Sequence, residues 1–270
     1  QCLTTENRET IGHPTGNSGR VFCFSEDRIT NTEGGVMSKK SNQKLHPGLD
    51  MIRKELNAII SKGYNGSRVF QDWIGVMFYA FLHDDPHYLE IMGQYRNEGP
   101  TEQREANHFA KATAHLLEYM QATNEEVLRV LFEEYASDTH QRQYLTPSSI
   151  AQLMAQICQS SLPQTGYIKV MDPSCGAGVC LIATAKNQTQ EQLNQTLFIG
   201  QDINLDCVRM AALNLMFFNL NGIILWGNTL TLEVKGAWET RRSLFWGGSL
   251  HILDTEKAKI WLEKHFTDIS

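Results

Sequence analysis

Proline is scarce in this chain, and it is unevenly placed. Seven prolines occur in 270 residues, none follows Pro173, and no two are adjacent. A Pro-Pro turn at the end of any later strand is therefore excluded. Cysteine is modest too. The six cysteines stand at 2, 23, 158, 175, 180 and 207, with no C-x-x-C pair and no Cys/His cluster at zinc-ligand spacing. The first residues, QCLTTENRET, carry no apolar run of the secretory kind. Reduced thiols and a cytoplasmic location are the expectation. No apolar stretch approaches the roughly 20 residues a membrane helix needs. Neither a Gly-Lys-Ser/Thr phosphate loop nor a G-x-G-x-x-G dinucleotide fingerprint is present. Positive charge is also in short supply. The net charge is -6, and residues 49–150 hold 15 acidic against 9 basic side chains. That excludes a chain coated for nucleic acid. DNA, if bound, would meet the C-terminal half or need a partner chain.

What is present falls into three parts. Residues 1–48 are rich in Asn, Thr, Ser and Gly with no sustained period, and read as a disordered or leader segment. Met37, in GGVMSKKSNQK, reads as a natural start. Residues 49–143 read as a helical N-terminal region. Leu49, Ile52, Leu56 and Ile59 recur at helical spacing, and RVFQDWIGVMFYAFL is apolar nearly all round, which predicts a buried helix. A break is predicted at Pro86. Thr123 with Glu126 reads as a capping box for the helix that follows. Residues 144–270 start a new pattern. Thr146 reads as an N-cap with Pro147 in the first turn, and Ile150, Leu153, Met154, Ile157 and Cys158 as the buried stripe of that helix. Strand and helix then alternate: YIKVMD, GVCLIATAKN, LFIGQD, NLDCVRMAALNLMFFNL, IILWGN. Such alternation predicts parallel strands with right-handed crossovers, half of a Rossmann-like α/β sheet.

The segment VMDPSCGAGVC, residues 170–180, joins the first strand to its helix. Ligands in such sheets bind beyond the carboxyl ends of the strands. Gly176 and Gly178 allow the backbone to approach a ligand where a side chain would clash. A carboxylate ahead of them, Asp172, suits a cation such as an α-ammonium better than a pyrophosphate. Asp202 ends the second strand, where it can accept from ribose hydroxyls, and Ile203 beside it offers an apolar face for a purine. Asn228 ends the third strand and can meet an adenine edge. Three strand ends thus converge on a ligand that combines adenosine with an amino acid, which describes S-adenosylmethionine.

YLTPSSIAQLM, VMDPSCGAG, GQDIN with C..MAALNL, and WGNTL together resemble the N-6 adenine DNA methylase family, which includes the modification subunits of type I restriction systems. The resemblance covers roughly residues 130–232. It implies an S-adenosylmethionine-dependent DNA adenine-N6 methyltransferase, with DNA as substrate and S-adenosylmethionine as cofactor. Carried over, Thr146 and Pro147 line the methionine end, and Asp172, Gly176 and Gly178 form the cofactor loop. Asp202 holds the ribose, Ile203 packs on the adenine, and Asn228 meets its ring. The family's catalytic element is Asn or Asp, Pro, Pro, then Phe or Tyr, expected after the third strand. This sequence has no proline there, so no catalytic residue is assigned. The expectation is a partial or truncated sheet, and a methyltransferase-like protein whose missing element comes from a partner protein or a missing segment. The alternative is a catalytically inactive relative with a regulatory or anti-restriction binding role.

Three further groups read as structural. His83, Asp84, Asp85 and His87 fit a solvated turn better than a metal site. Cys175 and Cys180 fit packing in a tight turn. Trp238, Phe245, Trp246 and Trp261 fit core or interface packing better than base stacking.

Overall fold

The computed structural model describes residues 47–135, 145–159, 166–243 and 247–266. The expectations for residues 1–46, Met37, Phe245 and Trp246 lie outside the described residues, as does the side chain of Trp261. The helical period of the first part yields helices α1 (Pro47–Ile60), α2 (Gly66–Leu82), α3 (Asp85–Met92), α4 (Glu105–Thr123) and α5 (Leu128–Tyr135). The first helix begins two residues before the boundary expected at 49. Local signals set the ends of α2 and α3. Asn65 accepts from the Arg68 backbone N–H to start α2, and His83 at φ 56° ends it. The Asp84 side chain then accepts from the His87 backbone N–H to start α3, with Pro86 in the first turn. Nδ1 of His87 sits 2.8 Å from the Asp84 carboxylate. The His-Asp-Asp-Pro-His run is thus the hinge between two helices.

One expected cap does not form. Thr123 is the last residue of α4, and its hydroxyl bonds back to the Tyr119 carbonyl. Glu126 caps α5 alone, accepting from the Arg129 backbone N–H at 2.8 Å. The left-handed Asn124 (φ 54°) turns the chain between them, which separates Thr123 from the helix it was expected to cap.

The second part contains α6 (Ser148–Gln159), β1 (Ile168–Asp172), α7 (Val179–Lys186), α8 (Gln190–Gln195), β2 (Thr196–Asp202) and α9 (Leu205–Phe217). It continues with β3 (Gly222–Trp226), β4 (Gly236–Arg241), β5 (Ser249–Ile252) and α10 (Thr255–Phe266). The sheet order is β1-β2-β3-β4-β5. β1, β2 and β3 run parallel, with helical crossovers between them. β4 and β5 are antiparallel additions. The stretch after β3 is too short for a helical crossover, which needs a dozen or more residues, so β4 can only return antiparallel. The molecule is a helical region followed by a partial Rossmann-like α/β sheet with a mixed edge.

The expected stripe of α6 is on the wrong side. Ile150, Leu153, Met154 and Ile157 are each about half exposed or more, and Cys158 is exposed. Ala151 and Ala155 are buried instead, against α7. Small residues four apart let two helices approach closely, so the alanine face wins the contact. The helix also starts later than expected. The Pro147 carbonyl accepts from Ile150 and Ala151, so Pro147 occupies the cap and Thr146 precedes it.

The two parts share a core. α2 buries Phe70, Trp73, Ile74 and Phe78, and it packs on α9, β5 and α5. Phe78 meets the edge of Trp238 from β4 at 5.3 Å. The Arg209 guanidinium of α9 donates to the Tyr79 hydroxyl of α2 at 2.8 Å and lies 5.2 Å over its ring. Glu126 is buried where α5 meets α9, and burial pushes its carboxyl above the ordinary range, against the opposing pull of Arg129, Asn214 and Lys186. A raised folded value means that the stabilising, protonated form is fully present below the unfolded value. The contribution is lost as pH rises through the folded value. Relative to the wild type, Glu126→Gln is therefore expected to gain thermal stability steadily as pH rises above about 4.5, the ordinary glutamate value. Melting curves of both proteins from pH 4 to 8 check this; a constant gap would refute it.

Candidate functional site

The carboxyl ends of the three parallel strands are tied to each other by the chain itself. Asp172 pairs in register with Gly200, and Asp202 with Trp226, so the ends of β1, β2 and β3 lie side by side. Beyond β1 the backbone makes a tight turn. The Cys175 N–H donates to the Gln201 carbonyl, and the Gly178 N–H closes onto the Cys175 carbonyl at 2.7 Å. Gly176 sits at φ 52° and Gly178 at φ 81°, both in the left-handed region that side chains avoid. A Cβ on Gly176 would stand 2.7 Å from Leu145. The turn is therefore covered by the residue just before Thr146. Thr146 follows it and lies near the Cys180 thiol at the start of α7, where it acts against the upward push of burial on that thiol. The Thr-Pro segment and the glycine turn, distant in sequence, are brought together.

Asp202 organises the turn. One carboxylate oxygen accepts from the Gly176 N–H at 2.9 Å, the other from the Asn204 N–H at 2.9 Å. Its backbone carbonyl accepts from the Gly227 N–H beyond β3. Each carboxylate oxygen keeps a further lone pair. Asp172 is less engaged: one oxygen accepts from the Ser174 N–H at 3.1 Å. Burial, with the neighbouring Asp202 charge adding to it, raises the Asp172 carboxyl above its ordinary range. A positive charge beside Asp172 would act against that rise.

The remaining predicted residues take their places around these two. Ile203 is 61% exposed, an apolar side chain presented beyond β2, and its carbonyl accepts from the Trp226 indole N–H. The Asn228 side-chain Oδ1 accepts from the Leu230 N–H and caps a short turn of 3-10 helix. Its Nδ2 group makes no hydrogen bond among the described residues. The next residue, Thr229, donates to the Pro173 carbonyl at 2.6 Å and clamps the third strand end onto the first. Pro147 is exposed next to Thr146. Burial raises the thiols of Cys175, Cys180 and Cys207 above the ordinary range, so all three sit as protonated packing groups. Sequence reasoning missed Thr229 and Leu145. Nothing in a Thr or Leu by itself marks a clamp or a lid; their positions beside an Asn at a strand end and a Thr-Pro pair were the available signal.

Residues 125–242 match the family model described as N-6 DNA Methylase, the family that the sequence motifs resemble. Two solved structures align at low identity. One, from Listeria monocytogenes, is described as a class I S-adenosylmethionine-dependent methyltransferase; it is 17% identical with TM-score 0.38, over 62% of this chain and 55% of that one. The other is the methyltransferase subunit of a type I restriction-modification system from Streptococcus thermophilus, 14% identical with TM-score 0.31, over 64% of this chain and 54% of that one. The chain thus spans about half the length of each. The fold assignment rests on the strand order and crossovers described above.

The backbone conformation at the turn carries a prediction. Gly176→Ala combines a left-handed strain of about 1–2 kcal/mol with the Leu145 clash. The Leu145→Ala background is the control, because it removes the clashing methyl and leaves the backbone conformation of Gly176 unchanged. Denaturant unfolding should show Gly176→Ala costing less in that background than in the wild type; equal costs would mean that Leu145 does not cover the turn.

Proposed function

We propose, with support from the match of residues 125–242 to the N-6 DNA Methylase family model, that the three strand ends bind S-adenosylmethionine in a protein of the DNA adenine-N6 methyltransferase type. The observation that carries this reading is the convergence of Asp172, the two left-handed glycines, Asp202, Ile203 and Asn228 at one edge of the sheet. The residues present fit the group. Asp172 and Asp202 supply paired negative charge for the ammonium and the ribose hydroxyls. Ile203 supplies an apolar face for the adenine, and Asn228 an amide N–H for a ring nitrogen. Thr146 and Pro147, held over the turn, flank the methionine end. When bound, S-adenosylmethionine supplies an electrophilic methyl on a sulfonium.

The chain's own residues bind and orient; on this sequence they do not activate an amine. An adenine N6 is a weak nucleophile because its lone pair is delocalised into the ring. The family localises it with the Asn or Asp of its proline-bearing tetrapeptide and stacks the flipped base on an aromatic. Here β3 is followed by the β4–β5 hairpin, in a stretch with no proline. We therefore read this chain alone as a cofactor-binding methylase relative. Methyl transfer to DNA then depends on a partner protein or further segment that carries the tetrapeptide. The second reading, a binding protein with a regulatory or anti-restriction role and no transfer in any assembly, rests on the same missing proline. The helical region at 49–143 and the sheet part at 144–270 act together in either case, since they share one core.

Calorimetric titration with S-adenosylmethionine, run beside a tritiated-methyl transfer assay on unmethylated DNA, tests the proposal. Binding without transfer by the isolated chain is expected. Absence of binding would overturn the cofactor assignment, and transfer would overturn the account of the missing element. Asp172→Ala is expected to abolish binding with the fold intact. Asp202→Ala is expected to weaken binding by a few kcal/mol at most, and also to lower stability because the Gly176 N–H loses its acceptor.

A further inference from the structure

The glycine turn is held from behind by a buried polar strut that originates in the helical region. The Asn214 side chain is fully buried in the middle of α9. Its Nδ2 spends one hydrogen on the Ala177 carbonyl at 2.8 Å and the other on Oε1 of Glu126 at 3.0 Å. Ala177 lies between Gly176 and Gly178, the two left-handed residues of the turn. Glu126 is itself fixed, because the same Oε1 accepts from the Arg129 backbone N–H that begins α5. Its side chain is 4% exposed. Oε2 has no hydrogen-bond partner among the described residues; the nearest cationic atom is Nε of Arg129 at 3.9 Å.

A buried carboxyl that spends only one oxygen is expensive to keep in an apolar interface. α5 needs only a cap, which an exposed Ser or Asp at the first turn supplies without burying a carboxyl. What Glu126 does that such a cap cannot is to orient an amide on another helix. A primary amide in the core is free to turn over, presenting its oxygen where its N–H groups were. Oε1 of Glu126 and the Ala177 carbonyl are both acceptors, so together they hold Nδ2 between them and leave Oδ1 without a partner among the described residues; without Glu126 the Ala177 carbonyl would hold the amide by one bond alone. That carbonyl is the central acceptor of a turn whose two flanking glycines hold the left-handed conformation that side chains avoid.

We infer that Glu126 is a positioning residue for the glycine turn, acting through Asn214, so that the helical region sets the shape of the site rather than merely adjoining it. The inference takes its functional meaning from the reading of that turn as the cofactor loop, but the geometry it asserts exists without cofactor. The two are tested separately in one set of proteins. Amide hydrogen exchange is followed in the unliganded protein at Gly176 and Gly178, whose N–H groups bond Asp202 and the Cys175 carbonyl. The sheet amides of Ile224 and Leu225 serve as reference. S-adenosylmethionine is then titrated calorimetrically into the same samples.

Glu126→Leu and Asn214→Leu are each expected to speed exchange at the turn about tenfold or more over the sheet reference, and to weaken the titration by a similar factor. The double variant should be little worse than the worse single one, since both remove the same strut. Glu126→Gln keeps an acceptor and should recover most of both effects. Folded leucine variants whose turn exchanges like the wild type would overturn the inference, as would acceleration spread evenly over turn and sheet. If a leucine variant does not fold, Asn214→Ser, too short to bridge, takes its place, and an unchanged turn there is equally fatal. Should the wild type fail to bind S-adenosylmethionine, the cofactor reading falls while the exchange result still decides the strut.

Discussion

The buried face of α9 is the constraint on which both parts of the molecule depend. From Cys207 to Met216 this helix is almost entirely inaccessible, with α2 and α5 of the helical region on one side and β2, β3 and α7 on the other. Such a helix cannot be amphipathic in the ordinary sense, because every direction around it is interior. Its small residues, Ala211 and Ala212, permit close approach, and Ala211 stands 3.4 Å from where a Cβ on Gly178 would lie. Within the buried stretch, Arg209 and Asn214 find partners on the helical region, Tyr79 and Glu126. Burial of this one element therefore holds the helical region, the sheet and the turn in a single packed unit.

The chemistry at the strand ends follows from backbone economy. A tight turn leaves N–H groups pointing inward, and each must find an acceptor. Asp202 satisfies Gly176 and Asn204, while the Cys175 N–H uses the Gln201 carbonyl. The carboxylate that completes the turn keeps one lone pair on each oxygen beyond those the turn uses. Asp172, with one backbone donor and a charged neighbour, is the less satisfied of the two.

The parallel strands, their crossovers and the turn were legible in the sequence, because each leaves a local mark. Asp, Gly and Asn at strand ends report a backbone requirement that no distant contact can replace. The facing of α6 was not legible. Its periodicity gives a stripe of Ile150, Leu153, Met154 and Ile157, but a period cannot say which neighbour a helix will meet, and α7 admits only the alanine side. The Thr123 and Glu126 pairing failed for a related reason: the spacing was right, yet a left-handed Asn124 broke the chain between them. The antiparallel β4 and β5 were hidden in a segment without strong alternation, where loop length decided direction. The bond from Glu126 to Asn214 joins residues 88 apart in sequence, and nothing in either local pattern announces the other.

The single core has a consequence for how such a protein can be inherited. Where a helical module and a sheet module meet across a wet, polar seam, evolution can exchange one and keep the other. Here the seam is Phe78 against Trp238, Tyr79 against Arg209, and Glu126 against Asn214. A recombinant that took its helices from one lineage and its sheet from another would have to match all three pairs at once. A change on one side of that seam therefore calls for a matching change on the other, and the helical half is tied to the turn as closely as the sheet is.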